Sequence, residues 1–181
     1  MSRSYKFHNQ DKPYFVTFAT VNWIDVFTRN IYKDILVDSL NFNVTNKGLL
    51  IYSWCIMTNH VHMIIGTKLN PMQDIMRDLK SYTSKEILKA IKDNPRESRK
   101  NWMLWMFERA GKRNSNNTKY QFWQQHNHPI QLDDNKIFDQ KMQYIYQNPV
   151  VAGFVDKAEH FPYSSAKDYA GENGFVKVEF A

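Results

Sequence analysis

The sequence predicts an α+β fold in which helices pack on one face of an antiparallel sheet. Two observations lead to this prediction. Short stretches rich in β-branched and aromatic residues, which favour strands, alternate with longer stretches whose apolar residues recur at helical spacing. Their order along the chain is strand, helix, strand, strand, helix, followed by further additions, which indicates an α+β sandwich. The second face of such a sheet is free to carry a functional site.

The first half of the chain contains most of the predicted sheet. Residues 14–20 have the composition of a strand, and residues 30–47 carry a roughly helical stripe of apolar side chains. Two apolar runs follow, Leu49–Met57 and Val61–Ile65, joined by Thr58-Asn59. They predict a β-hairpin, or two neighbouring strands around a tight turn.

The middle of the chain is predicted to be helical and then irregular. Residues 71–92 begin with Pro71, which favours the first turn of a helix, and continue with apolar residues at helical spacing. Residues 93–119 are polar and charged around a patch of aromatic residues, which predicts a short helix followed by a loop.

The last predicted elements are a short edge strand and a helix. The strand covers residues 129–132 and the helix residues 134–147, with Asp133 or Asp134 as its N-cap. Pro149 is expected to end this helix, since proline disfavours helical geometry in the residue before it.

Composition restricts the classes of function. The chain has 181 residues, the length of about one domain, and 43% of them are apolar, so it can bury a core. Its formal net charge of +6 favours a polyanionic partner such as nucleic acid, although many proteins are mildly basic. One cysteine cannot form an internal disulfide or a cysteine zinc cluster. Without a signal-peptide core or an apolar stretch of spanning length, we expect a cytoplasmic protein with no membrane partner.

Two histidines form the first candidate site. On a strand, His60 and His62 would lie on one face because side chains alternate with a period of two, while Val61 points into the core with Met63 and Ile65. Two neutral imidazoles make half of a divalent metal site. The alternative is a pair of surface histidines, since His-X-His is a common pattern.

A tyrosine and an asparagine form the second candidate site. Tyr144 and Asn148 are four residues apart and therefore neighbours on one helix face. Asn148 offers a carbonyl oxygen suited to Mg²⁺ or Mn²⁺, and Tyr144 offers a nucleophilic hydroxyl. Alternatively, Tyr144 and Tyr146 are packing residues and Asn148 caps the helix before the proline.

Taken together, these segments resemble the single-tyrosine transposases of the HUH type, which are IS200-like. The resemblance rests on Met57–His62 and on Tyr144–Val155, with Pro162–Ala166 after it. It is closest to the branch of REP-associated tyrosine transposases, whose segment before the tyrosine helix is similar to Phe122–Gln125 and His128–Ile130. The likeness covers roughly residues 14–166.

The resemblance implies a specific chemistry. His60 and His62 would bind a metal ion, Mg²⁺ or Mn²⁺, and Tyr144 would be the nucleophile that forms a 5′-phosphotyrosine intermediate. Asn148 would occupy the place of the family's third polar ligand, where relatives commonly carry glutamine. The implied fold is an RRM-like or ferredoxin-like α+β core. The implied substrate is single-stranded DNA, often beside a hairpin-forming repeat or element end, and a homodimer is expected by analogy with relatives.

The chain also has features of its own. It is expected to be a single domain over residues 1–181, with an insertion at about 93–119 that is either a DNA-binding loop or a solvated excursion. Candidate DNA-binding residues lie on the second long helix and in the segment before the tyrosine helix; they are Arg77, Lys80, Lys85, Trp123 and His128. Trp102, Trp105 and Trp123 are either stacking platforms for bases or core residues.

Three other functions are compatible with the sequence. A non-catalytic module for single-stranded nucleic acid could use the same fold, although it would need exposed aromatic residues on central strands. A replication-initiator or relaxase-like nickase would usually need more domains than 181 residues provide. A metallohydrolase would depend on His60 but not on Tyr144.

Overall fold

The structure, a computed structural model, describes residues 7–114 and 119–180. Its strands and main helices in chain order are β1 (Tyr14–Ala19), α1 (Asn30–Lys47), β2 (Leu49–Ile56), β3 (His60–Thr67), α2 (Met72–Asp93), α3 (Lys100–Lys112), β4 (Ile130–Gln131), α4 (Asn135–Val151) and α5 (Ala166–Tyr169). Single 3₁₀ turns lie at Val21–Trp23, Val26–Thr28 and Ala158–His160. None of the described helices is long and apolar enough to cross a membrane.

The four strands form one antiparallel sheet in the order β2-β3-β1-β4. The β2–β3 hairpin and the short edge strand β4 confirm the sequence prediction. β3 begins at His60, and the N–H of Met57 donates to the carbonyl of His60 across the turn, at 2.8 Å. The register places Thr17 of β1 opposite His62 of β3, and Cys55 of β2 on its other side. β3 is therefore a central strand, and its neighbours on both sides fix where its histidines lie.

One sheet face holds the main core. Side chains of β1 and β3 that alternate with the histidines, among them Val16, Val61, Met63 and Ile65, are fully buried with apolar residues of α1 and α2. Their alternation follows from the period of two along a strand. The prediction that Val61, Met63 and Ile65 point into the core is confirmed.

The opposite face is only partly open, because α4 packs on it. Ile145 and Tyr146 of α4 share a second apolar cluster with Phe15, Cys55 and Ile64. The α+β class is confirmed, but helices lie on both faces rather than on one. The reason is that α4 is amphipathic. Besides its polar residues it carries apolar side chains, and these are buried against the sheet. The rest of this face carries the histidine pair, of which His60 reaches solvent and His62 is buried.

Helix α4 does not end before its proline. Asp134 caps its N-terminus by accepting from the N–H of Ile137 at 2.8 Å, as the sequence predicts. At the other end, Pro149 lies inside the helix, which continues to Val151. Beyond it, the N–H of Phe154 donates to the carbonyl of Pro149 at 2.9 Å, and Gly153 adopts a φ of +74°. This C-terminal turn satisfies the carbonyl of Pro149 and ends the helix after the proline, so Asn148 stays within the helix.

The polar segment after α2 contains a full helix. α3 buries Met103, Phe107 and Gly111 against the main core, so it is anchored rather than merely solvated. The link that precedes it is held by Glu97, a buried carboxylate that accepts from Arg29 Nε at 2.8 Å. Residues 115–118 of the predicted loop lie outside the described residues. Helix α2 begins at Met72, one residue later than predicted, so Pro71 is its N-cap and not the first residue of the helix.

Candidate active site and nucleic-acid interface

The two histidines lie together on the second sheet face. The centroids of the His60 and His62 rings are 4.6 Å apart. His62 is 4% exposed and His60 is half-buried. The structure thus brings the pair together as the strand period predicts, in a position where one ring is shielded and the other reaches solvent.

Each imidazole is oriented by one hydrogen bond through its Nδ1 atom. Thr17 Oγ1 lies 2.7 Å from His62 Nδ1, and Asn59 Oδ1 lies 2.7 Å from His60 Nδ1. In the tautomer with the proton on Nδ1, both oxygens accept and both Nε2 atoms keep a lone pair. His62 Nε2 is buried and has no hydrogen-bond partner among the described residues. This is the arrangement that a metal-binding imidazole needs.

Burial keeps both rings neutral. Desolvation lowers the pKa of His60, and desolvation together with His60 and Lys141 lowers the pKa of His62 to about 3. A charged imidazolium would lose hydration in this position and would repel its neighbour. At neutral pH, both side chains are therefore available as ligands without first losing a proton.

Tyr144 projects from α4 beside the histidines. Its side chain is 50% exposed, and its ring centroid is 5.2 Å from that of His62 and 5.9 Å from that of Phe15. Lys141, one helical turn earlier, places its Nζ 5.8 Å from the Tyr144 ring centroid and 4.8 Å from that of Phe15. The tyrosine is accessible to a ligand while its ring is held against the sheet.

Asn148 lies one turn after Tyr144 on the same helix. Its Nδ2 donates to the main-chain carbonyl of Tyr144 at 2.8 Å, so its Oδ1 is the end left for a cation or another donor. Both side chains line a cleft of about 640 Å³ that we call the catalytic cleft, because the candidate catalytic and metal-binding residues line it; its walls are Phe15, Thr17, Trp23, His60, His62, His128, Lys141, Tyr144 and Asn148.

The donor set fits a divalent cation. Two imidazole nitrogens and an amide oxygen line one cleft, and His62 Nε2 lacks any other partner among the described residues. His128 lines the same cleft, but in the described part of the chain no three His, Cys, Asp or Glu side chains are grouped so that they could hold a metal ion. Three neutral donors leave the full charge of the ion to act on an anionic ligand, and remaining positions would be filled by water or substrate oxygens.

Tyr146 occupies a different environment from Tyr144. It is 7% exposed, packs in the second apolar cluster, and desolvation raises its pKa. Two residues along a helix correspond to a rotation of about 200°, so the two hydroxyls cannot face one phosphate. Tyr146 is a packing residue.

Four of the predicted DNA-binding residues line a second cavity of about 770 Å³, which we call the α2 groove: Arg77, Lys80, Lys85 and Trp123. His128 is separate from them and lies in the catalytic cleft. The α2 groove runs between α2 and residues 119–127. The structure thus divides the predicted set between two neighbouring regions.

The residues of the α2 groove differ in what they can offer. Arg77 is paired with Asp74 and Asp78 on the surface. Lys80 donates to Gln124 O at 2.7 Å and to Asn127 Oδ1 at 2.8 Å, and desolvation lowers its pKa to about 8. Lys80 therefore connects α2 to the segment of residues 124–127 and also makes the groove basic. Lys85 is exposed.

Trp123 does not serve as a stacking platform. It is 5% exposed, and its indole Nε1 donates to Thr83 Oγ1 at 3.1 Å inside the core. The core alternative for this tryptophan is the correct one, because its ring packs between Phe18 and Phe27 at centroid distances of 4.9 and 5.7 Å. Trp102 and Trp105 of α3 are half exposed.

Four residues of the catalytic cleft were missed from the sequence. Lys141 is three residues before Tyr144, and this spacing alone places both on one helix face. Phe15 and Thr17 alternate with buried residues of β1, which is a detectable signal once the strand register is known. Trp23 carries no sequence signal, because an irregular turn places it there.

Comparisons with known proteins concern the family and the fold of the chain. Residues 11–108, slightly more than half of the chain, match the family described as "Transposase IS200 like". The match ends before α4 and so does not include Tyr144 or Asn148. No protein of curated function matches the sequence.

Two solved structures are similar to the chain. One is a REP-associated tyrosine transposase bound to a REP hairpin, with a TM-score of 0.64, 18% identity, and coverage of 99% of this chain and 92% of the other. The second, from Deinococcus radiodurans and assigned as a transposase, has a TM-score of 0.45, 19% identity, and coverage of 80% and 95%. The first similarity establishes a shared fold over nearly the whole chain. With the family match over β1 to α3, it shows that this chain belongs to the IS200-like transposase family.

Proposed function

We propose that this transposase is a metal-dependent endonuclease that cleaves and rejoins single-stranded DNA through a 5′-phosphotyrosine intermediate on Tyr144. The observation that carries the proposal is the half-exposed Tyr144 ring, 5.2 Å from the ring of His62, in one cleft with His60 and Asn148. A nucleophile, a set of metal donors and the ammonium of Lys141 lie in one cleft, which is what phosphodiester cleavage requires.

In the proposed reaction, the phenolic oxygen of Tyr144 attacks the scissile phosphorus. A bond forms between this oxygen and phosphorus, and the bond from phosphorus to the 3′ oxygen of the preceding nucleotide breaks. The tyrosine gives up its proton and the leaving 3′ oxygen gains one. Attack by a 3′ hydroxyl on the phosphotyrosine reverses these steps, so strands are rejoined without another energy source.

The residues around Tyr144 lower the cost of this attack. A phenol is a weak nucleophile until it loses its proton, and the phosphate that it attacks is negatively charged. The ammonium of Lys141, near the Tyr144 ring, is positioned to offset part of this cost and to attract the phosphate. A divalent ion held by His60, His62 and Asn148 would polarise the phosphate oxygens when bound. Mg²⁺ or Mn²⁺ suits this mixed donor set.

We propose single-stranded DNA beside a hairpin-forming repeat or element end as the substrate. The net charge of +6 and the basic α2 groove near the cleft support a polyanionic ligand. The structural relative is bound to a REP hairpin, which supports the same class of substrate here.

Two aspects of organisation belong to the same proposal. Residues 1–181 form one transposase domain, in which 93–119 is an insertion that includes α3. One nucleophile per chain holds one strand end, so the simultaneous exchange of two ends requires two copies. We therefore propose that the active form is a homodimer, which sedimentation of the protein with and without hairpin DNA would test.

The decisive experiment is a search for the covalent intermediate. The protein is incubated with labelled hairpin DNA taken from the sequence flanking its gene, with Mg²⁺ or Mn²⁺, and resolved on a denaturing gel. We expect a protein–DNA band that disappears with Tyr144→Phe and with chelator but persists in Tyr146→Phe, the matched control. Binding without any band would instead support a non-catalytic module for single-stranded nucleic acid, and a band that survives Tyr144→Phe would refute the assignment of the nucleophile.

A further inference from the structure

A strained turn beside the catalytic cleft holds an exposed tryptophan. Asn22 and Trp23 have φ values of 54° and 53°, in the left-handed region that non-glycine residues rarely adopt. Trp23 is 55% exposed, and its ring centroid is 5.8 Å from that of His60. Such backbone conformations persist only where surrounding contacts enforce them, and they cluster at functional sites.

Specific hydrogen bonds enforce this turn. Asn59 Nδ2 donates to the carbonyl of Trp23 at 3.2 Å, and Thr20 Oγ1 donates to the carbonyl of Ile24 at 2.8 Å. Asn59 also contacts His60 through its Oδ1 atom. The side chain that orients one candidate metal ligand thus also fixes the turn that presents the indole.

Trp23 separates the catalytic cleft from another cavity. This cavity, of about 530 Å³, lies between the Val21–Trp23 turn and α3, and we call it the α3 groove. Arg109 and Arg113 line it from α3, four residues apart and therefore on one helix face. Gln124 lines both the α3 groove and the α2 groove. The three cavities therefore adjoin one another, with Trp23 at the first junction and Gln124 at the second.

The α3 groove carries positive charge that forms no ion pair within the described part of the chain. Neither Arg109 nor Arg113 has an ion-pair partner among the described residues, and both are exposed. Arg109 lies over the Trp105 ring at 5.2 Å, which holds its guanidinium in place. By contrast, Lys112 on the same helix is paired with Glu108 at 3.0 Å. Exposed arginines next to an exposed indole are the combination with which proteins bind single strands.

We propose that the α3 groove binds the single-stranded DNA that adjoins the scissile phosphate, with one of its bases stacked on Trp23. The strand then leaves the catalytic cleft over Trp23, passes Arg109 and Arg113, and reaches the α2 groove. This inference rests on the proposed function for the position of the scissile phosphate. It assigns a role to α3, which lies outside the hairpin and helix that carry His60, His62 and Tyr144.

The test measures binding in chelator, where no cleavage occurs. Hairpins labelled with a fluorophore, with a full or a truncated single-stranded flank, are titrated with wild type, Trp23→Ala, Trp23→Phe and Arg109→Gln/Arg113→Gln. Loss of one stacked base predicts roughly 5- to 150-fold weaker binding of the full-flank hairpin by Trp23→Ala, with most affinity retained by Trp23→Phe. Loss of two phosphate contacts predicts a log–log salt slope smaller by about 1.4 for the double variant.

Matched controls lie on α3. Trp102→Ala removes an equally exposed tryptophan and Lys112→Gln removes a paired cation, and neither residue lines the α3 groove. Both controls are expected to bind like wild type. On the truncated hairpin, wild type and Trp23→Ala are expected to bind equally, because the stacked base is absent.

The outcomes separate this inference from the proposed catalysis. If Trp23→Ala binds with wild-type affinity, or loses affinity equally for truncated and full-flank hairpins, the α3 groove does not bind the flanking strand. This holds even when wild type forms the covalent intermediate. Loss that depends on the flank supports the groove even when no covalent band forms, in which case only the catalytic proposal fails. A loss in Lys112→Gln as large as that in the arginine variant would also overturn the inference, since binding would then follow overall charge.

Discussion

Thr17 provides the sharpest test of the proposed metal site, because its hydroxyl contacts the proposed ligand His62 without being a ligand itself. Its Oγ1 lies 2.7 Å from His62 Nδ1 and so favours the tautomer in which Nε2 is free to bind a cation. Thr17→Val removes this hydroxyl but keeps the shape and β-branching of the side chain. The strand should be preserved, and only the orientation and tautomer of His62 should suffer.

The magnitude follows from the role of such partners. Loss of a hydrogen bond that orients a metal-binding histidine typically costs 10- to 100-fold in metal affinity, or about 1.4 to 2.8 kcal/mol. The buried Nδ1 of His62 would also lose its partner, which costs folding stability about 1 to 3 kcal/mol. Thr17→Ser keeps the hydroxyl and is the matched control.

Two measurements check this prediction. Binding of Mn²⁺ is measured directly, from the decrease of the electron paramagnetic resonance signal of free Mn²⁺. The yield of covalent DNA adduct is measured as a function of Mn²⁺ concentration. For Thr17→Val we expect half-maximal adduct at 10- to 100-fold higher Mn²⁺, with the yield restored at saturation. If Thr17→Val binds Mn²⁺ as tightly as wild type and reaches half-maximal adduct at the same Mn²⁺ concentration, the hydrogen bond from Thr17 does not orient a metal ligand.

Three further predictions concern the cleft, its pH dependence and α3. Asn148→Ala should weaken Mn²⁺ binding at least tenfold while Asn148→Asp, a harder and charged ligand, should preserve it; equal Mn²⁺ affinity in all three proteins would remove Asn148 from the site. Burial lowers the pKa of His62 to about 3 from an ordinary value near 6.5, so the unfolded chain takes up a proton first as the pH falls. The free energy of unfolding of the metal-free protein should therefore decrease from pH 6.5 towards pH 3, and urea titrations should show a shallower decrease in His62→Gln; an unchanged pH dependence would contradict the burial argument. Gly111→Ala should lower stability by about 1 to 3 kcal/mol, because its Cβ would collide with the main-chain carbonyl of Lys119; an unchanged thermal midpoint would show that this segment can move aside.

The local elements followed from the sequence because their signals are local. The period of two in β3 placed His60 and His62 on one face, and the spacing of four placed Tyr144 and Asn148 on one turn of α4. Pro149 misled the prediction of where α4 ends. Proline disfavours the helix before it, but α4 continues past it and ends in a turn whose N–H groups satisfy the carbonyls of Pro149 and Val150.

Trp123 shows where a residue type alone is insufficient. Tryptophan suits both a base and a core, and only the packing of Phe18 and Phe27 around its ring decided between them. Trp23 shows the opposite case. Its position beside His60 depends on a left-handed turn that Asn59, in the turn before β3, holds by a hydrogen bond, and no pattern in the sequence encodes such a contact.

The sequence by itself determined which groups are available for chemistry and which of them share an element. The tertiary structure decided that the two sets meet, because the apolar side of α4, with Ile145 and Tyr146, packs on the sheet face that carries the histidines. That docking sets the Tyr144 ring 5.2 Å from the His62 ring. The two rings belong to residues more than eighty positions apart. They meet because apolar surface is buried between α4 and the sheet, and no fixed spacing in the sequence marks which apolar surfaces will pack together.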